Sequence, residues 1–328
     1  MILLLFFILD IFIGSVNIDP FDVLTALFHN QEGVVETIII KFRIPKAITA
    51  LLVGIALSLS GLQMQTVFRN PMAGPYVLGI SSGASLGVAF IIMGYSSFMS
   101  PAAMTVAGNW LLVVAAWIGA GAVMLLIMII SSRIKDIMII LILGIMLSSG
   151  ISAIVSIMQY FSNESLLKAY VIWTMGSLGN LTSAQLQVLL VSVLAGVILS
   201  IISIKILNAL LLGENYARSM GLSIRASRIL VFACTSILTG SVTAFCGPIG
   251  FIGIAVPHIA RMLFKTSDHR ILIPGTILAG GAIMLASDII SQLPGSDNVL
   301  PVNSVTSMIG IPVVIWVIFR NRKYSGNF

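Results

Sequence analysis

Residues 79–83, Gly-Ile-Ser-Ser-Gly, place Ser81 in the G-x-S-x-G spacing with which hydrolases expose a serine nucleophile. Such a serine needs a base within about 3 Å to take its proton. The chain has three histidines, and His29 and His269 fall in loops on opposite sides of the apolar segments around them. Ser81 with His258 is therefore the one conceivable dyad, which would make the chain an intramembrane serine hydrolase. The pattern lacks the strand–turn–helix setting that gives it meaning. A close helix contact through spaced glycines explains it better.

Other chemistry is bounded as sharply. No G-x-x-x-x-G-K-[ST] phosphate loop is present, so the chain cannot by itself cradle ATP, and if it moves a solute uphill the nucleotide chemistry must come from another polypeptide. Cys234 and Cys246 lie in or near one apolar stretch and read as small buried hydrophobes rather than a disulfide or a metal site. Neither a metal nor an organic cofactor is expected. An ion-coupled secondary transporter would place acids or polar clusters at mid-membrane. Here the apolar segments hold only Asp10 and Asp288, both toward the outer side, and Asp288 has no evident cation beside it. Gating and structural hydrogen bonding both remain open for it. His258 follows Pro257 in an interrupted helix, where its ring could cap freed carbonyls or touch a substrate.

The densest polar signal spans residues 61–86, GLQMQTVFRNPMAGPYVLGISSGASL. Gln63, Gln65, Asn70, Ser81 and Ser82 stand in or between apolar runs. Polar and irregular backbone groups cost several kcal/mol each against hydrocarbon, so they belong where protein or a watery cavity surrounds them. These five residues are the expected lining of a path. Since Gln63 and Asn70 are seven apart, they share a helix face, with Gln65 turned away from it; at least one of those faces is expected to meet water or a second copy.

The elements that hold these residues are membrane spans. Of 328 residues, 58% are hydrophobic and 9% charged, against roughly 25% charged in soluble domains. The expected fold is one all-α polytopic domain, 1–328, with about ten spans of about 20 residues each. They fall at 2–16, 44–67, 79–94, 110–131, 137–160, 184–207, 228–246, 250–264, 271–291 and 304–319. Residues 61–82 and 240–259 both leave an apolar helix, cross a proline break and enter a short glycine-spaced helix, an inverted-repeat, broken-helix pattern. With the N-terminus inside, Arg69, Arg133, Lys135, Arg218, Arg225, Arg228, Arg261, Lys265, Arg270, Arg320, Arg322 and Lys323 all fall inside. The outer side keeps Lys41, Arg43, Lys46 and Lys168, and both termini are cytoplasmic. The net charge of +6 is thus spread over helix ends and does not point to nucleic acid.

Two basic or amphipathic stretches read as contact surfaces. Arg43 and Lys46 flank Pro45 at the outer mouth, where a cationic pair could meet an anionic partner or snorkel at the interface. The cytoplasmic stretch 211–228, LLGENYARSMGLSIRASR, suggests two short surface helices joined at Met220 and Gly221, with Ala217, Met220 and Leu222 as an apolar face.

An ordered set of motifs gives the chain a family resemblance. It runs from RIPK at 43–46 through Gly61 with Gln65, NPMAGPYVLGISSGA at 70–84 and LGENYARSMGL at 212–222. It continues with GPIGFIGIAVPHIAR at 247–261, DHRILIP at 268–274, ASDII at 286–290 and GIPVVIW at 310–316. The chain resembles the FecCD family of type II ABC importer permeases. The resemblance implies a ten-helix subunit of the bacterial inner membrane that pairs with a second permease copy around a path. ATP-binding-cassette ATPase subunits would dock from the cytoplasm on Glu214, Arg218 and Gly221, and an extracytoplasmic binding protein on Arg43 and Lys46. A third basic docking position of the vitamin B12 permeases falls on Gln292 here. The implied cargo is a ferric siderophore, with haem or a corrinoid as alternatives.

Overall fold

A computed structural model describes residues 1–28, 33–95, 101–134, 136–293 and 299–325; His29 and Lys135 lie outside the described residues. The helices are α1 (Ile2–Phe12), α2 (Pro20–Phe28), α3 (Val34–Ile38), α4 (Ile44–Val67), α5 (Ile80–Ala89), α6 (Pro101–Ser131), α7 (Ile137–Tyr160), α8 (Glu164–Thr174), α9 (Ser183–Ile202), α10 (Ile204–Leu211), α11 (Glu214–Ser219), α12 (Ile224–Cys246), α13 (Ile252–Phe264), α14 (His269–Ser291) and α15 (Val302–Ser325). A π-helical segment, Ile39–Arg43, joins α3 to α4, and another, Phe90–Tyr95, extends α5. Among the described residues, six helices are long and apolar enough to cross a membrane, and four shorter apolar ones, at Ile2–Phe12, Ile80–Gly94, Ile252–Phe264 and Val302–Trp316, bring the number to the ten expected.

Local sequence explains the boundaries. Pro45 stands inside the continuous helical run Val34–Val67, directly after the π-helical segment, the kind of local adjustment that accommodates a residue without an N–H. Asp136, Ser223 and Asp268 accept backbone N–H groups at the starts of α7, α12 and α14, and Thr182 with Gln185 forms a reciprocal capping box at α9. The sixth span ends earlier than expected, at Ile202, because Ser203 turns the chain into a separate helix, α10. Within 211–228, α11 is the short helix and the turn at Met220 and Gly221, where φ is +85°, joins it to the next helix as expected; that next helix is the start of the long α12 rather than a second short one. Gly213, with φ +106°, parts α11 from α10.

Helix α4 is the axis of the protomer: 18 of its 24 residues are buried, against α14, α13, α12 and α9. Gly83 of the G-x-S-x-G pattern serves packing, together with Gly87 one turn on. A Cβ on Gly83 would collide with the Gly119 carbonyl, and one on Gly87 with that of Ala115, so α5 and α6 touch through their backbones. Helix α7 is the opposite case, with only 11% of its apolar window buried in the protomer.

Candidate functional site

The two proline breaks foreseen in the sequence meet. After α4, the Asn70 carboxamide oxygen accepts the Met72 N–H at 2.9 Å, and a 3-10 turn at Pro75–Leu78 ends on Gly79, whose φ of +78° suits glycine. The second break runs from Gly247 to Phe251, both with positive φ. Tyr76 Oη bridges them, donating to the Ile249 carbonyl at 2.6 Å and accepting the Ile249 N–H at 3.3 Å. Gln65 Nε2 donates to the Ile254 carbonyl at 3.1 Å, and Arg261 Nη1 donates to Gln65 Oε1 at 2.5 Å. His258 Nε2 donates to the Pro71 carbonyl at 2.7 Å. The Pro71, Met72 and Ile249 backbone groups freed by the breaks thereby gain partners within the protein.

Beside this junction lies a cleft of about 300 Å³. Ser81, Ser82 and Ser85 of α5 face Ser152, Ser156 and Gln159 of α7, with Tyr170 and Thr174 of α8 and Pro248 of the second break closing the rest. Its polar lining is hydroxyl and amide, without a charge. The other flank of α8, Leu166, Ala169, Ile172 and Trp173, borders a larger, mainly apolar cavity of about 600 Å³. Helix α8 is therefore a wall with a wet and a dry side.

This geometry sorts the sequence expectations. Ser81 and Ser82 line the cleft, whereas His258, bound to Pro71, is not among its lining residues; among the described residues that line the cleft, no base stands by Ser81 to make it a nucleophile. Gln63 and Gln65 correct the expectation of a wet α4 face, because both are buried inside the protomer. Gln63 Nε2 donates to Ser200 Oγ at 2.6 Å on α9 and contacts Cys234 Sγ on α12. Four interhelical partners in the bundle make these amides packing glue. Sequence reading missed Ser85, Ser152, Ser156, Tyr170 and Thr174. Hydroxyls four apart at 81 and 85, and again at 152 and 156, were the available signal.

Where α4 begins and α14 ends, the cations are engaged internally. Arg43 is buried, and its guanidinium donates to the carbonyls of Ile11, Phe12 and Val16 at 2.9, 2.8 and 2.5 Å, capping α1. It does not face outward as a docking cation would. Lys46 Nζ lies 3.0 Å from Asp288 Oδ1, which supplies the missing cation. Gln292 Nε2 donates to Asp288 at 3.1 Å and to Asp10 at 3.2 Å, tying α1 to α14.

On the loop between α9 and α12, Glu214 is turned inward. Arg228 Nη2 and Nε donate to its Oε1 at 2.6 and 3.0 Å, while Arg228 Nη1 donates to the Ile134 carbonyl at 3.1 Å. Arg218 and Gly221 are exposed, and so are Leu212, Tyr216 and Met220, four apart along the loop. At the start of α14, the Arg270 N–H and the Asn208 amide both donate to Asp268 and hold its carboxyl below the usual range.

Residues 2–320 match the FecCD transport family. The chain is 35% identical over 285 residues to the hemin transport system permease protein of Yersinia pestis, covering 87% of this chain and 84% of that one. It is 36% identical over 283 residues to the vitamin B12 import system permease protein of Klebsiella pneumoniae, covering 86% and 82%. Among solved structures it is similar to a metal-chelate type ABC transporter in an inward-facing conformation, with a TM-score of 0.84, 28% identity and coverage of 97% and 96%.

Proposed function

From the premise that the chain belongs to the FecCD transport family and is an ABC importer permease subunit, we propose that its translocation path runs along the hydroxyl cleft between α5, α7 and α8. The uncharged cleft beside the two meeting breaks is the observation that carries this reading. A conduit must bind its cargo strongly enough to admit it and weakly enough to release it. Hydroxyls and an amide exchange hydrogen bonds with water at little net gain, about 0.5–1.5 kcal/mol each, so a bulky solvated chelate is not trapped. The cargo is an iron complex, foremost a ferric siderophore, with haem or a corrinoid next.

The lightly buried α7 supports pairing with a second permease copy, so that two clefts share one axis. The exposed Leu212, Tyr216 and Met220, with Arg218 beside them, support docking of a separate ATPase subunit on the loop 211–228. With Arg43 committed to α1, Lys46 is the basic group nearer solvent for an extracytoplasmic binding protein at the outer face. The loop and both termini would then lie in the cytoplasm, and ATP-driven closure of the ATPases would switch the cleft between outward and inward access. A Ser82→Trp variant tests the path: uptake of a ferric chelate carried by the cognate binding protein should be lost while ATP hydrolysis continues. Undiminished uptake would place the path elsewhere.

A further inference from the structure

The guanidinium of Arg228 joins three segments that are separate in sequence: α11 through Glu214, the first turns of α12 where it resides, and the turn before α7 through the Ile134 carbonyl. We infer that Arg228 is a positioning residue, a strut that makes the loop 211–228 and the start of α7 move as one body. The inference rests on the proposed docking of the ATPase on that loop. Given that docking, it names the route by which a displacement there reaches the cleft.

Three features support the route. First, Arg228 is 3% exposed, where charge-assisted hydrogen bonds are stronger than at a wet surface. A planar guanidinium with donors in a fixed fork can hold a carboxylate and a carbonyl at once, which a single ammonium cannot do with the same geometry. Second, Ile134 lies two residues before the Asp136 cap of α7, so the tie is made next to the helix origin. Third, α7 is a continuous helix of 24 residues with little of its surface held by neighbours in the protomer. Ser152, Ser156 and Gln159 stand on its far half. A displacement at its start is carried along a stiff rod to the cleft, and the inward turn of Glu214 leaves Arg218, Tyr216 and Met220 free to meet a partner.

The test uses the permease with its ATPase subunit in proteoliposomes and a Ser156→Cys background, since Cys234 and Cys246 are buried. A water-soluble maleimide reports the cleft with and without nucleotide. In the parental background nucleotide should change the labelling rate. In Arg228→Lys that change should be lost while the ATPase still co-purifies and hydrolyses ATP. Exchanging the charges, Glu214→Arg with Arg228→Glu, rebuilds the ion pair but leaves the Ile134 carbonyl without its donor, so the response should stay lost. Arg228→Gln, which keeps an amide donor but gives up the ion pair with Glu214, carries the same expectation and serves if Arg228→Lys does not fold.

A nucleotide response retained in Arg228→Lys or in the exchanged pair overturns the strut alone. Loss of ATPase co-purification in Arg228→Lys overturns it too, by making Arg228 part of the docking surface. A parental background without any response overturns the strut together with the docking reading.

Discussion

Arg43 and Lys46 show how far residue type alone can be read. Both are basic, both lie beside Pro45, and sequence treats them as one docking pair. The structure divides them. Arg43 satisfies three carbonyls at the end of α1, so Arg43→Gln should lower stability by about 1–3 kcal/mol, the cost of buried acceptors left unpaired. The measurement is the thermal midpoint of the purified protein in detergent. Lys46 faces the buried Asp288, and removing one partner of a buried pair costs about 3–5 kcal/mol, less here because Lys46 is partly wet. Lys46→Gln should therefore destabilise, and Lys46→Gln with Asp288→Asn should recover part of the loss. A double variant no better than the single would mean that Asp288 is held by Gln292 and Ser291 alone. None of this was legible beforehand, because no local pattern links a lysine in α4 to a carboxylate in α14.

Element boundaries were the more legible level, for a physical reason. Proline, glycine and capping residues act on the backbone beside them, so the breaks after α4 and before α13 could be placed from sequence. What each break touches depends on the fold, and the Tyr76–Ile249 bridge had no sequence signal. The turn at Gly221 was placed from such a local backbone signal, whereas the length of the helix after it, the long α12, was not. Gly221 still has a definite prediction. Its φ is +85°, and an added side chain would meet nothing within 4 Å. Gly221→Val should cost only the left-handed backbone penalty, about 1–2 kcal/mol, and the protein should insert normally. If the turn orients the ATPase-facing loop, uptake per ATP hydrolysed falls; unchanged coupling would remove Gly221 from that role. At Gly83 the cause is crowding. Gly83→Leu should force α5 from α6 and lower the thermal midpoint sharply, because the Gly119 backbone cannot yield as a side chain could. The Asp268 cap gives an acid-sensitive contribution. Its carboxyl is held low in the folded protein, so the stabilisation is full above the ordinary carboxylate range and fades as pH falls through the depressed value. Asp268→Asn should flatten that acid limb of the melting curve.

At the scale of the whole molecule the question is which surface meets water on the way through. Composition and hydropathy were enough to foresee ten apolar helices, and the ordered motifs were enough to foresee the family. The side of the polar segment that borders the path was not legible, since an amide at membrane depth signals enclosure without saying whether protein or water encloses it. The bundle encloses Gln63 and Gln65 in protein and leaves Ser81, Ser82, Ser152 and Ser156 around open space. A water-soluble thiol reagent separates these two environments. Cysteines placed singly at Ser82, Ser152 and Ser156 should react quickly, and trapping the ATPase with nucleotide should shift their rates together, because α5 and α7 form opposite walls of one cleft. Cysteines at Gln63 and Gln65 should react slowly in every nucleotide state, since these positions are packed among α9, α12 and α13. Fast reaction at Gln63 with protection at Ser156 would exchange the roles of the two sites. The conduit would then run through the middle of the protomer rather than along the cleft between α5, α7 and α8.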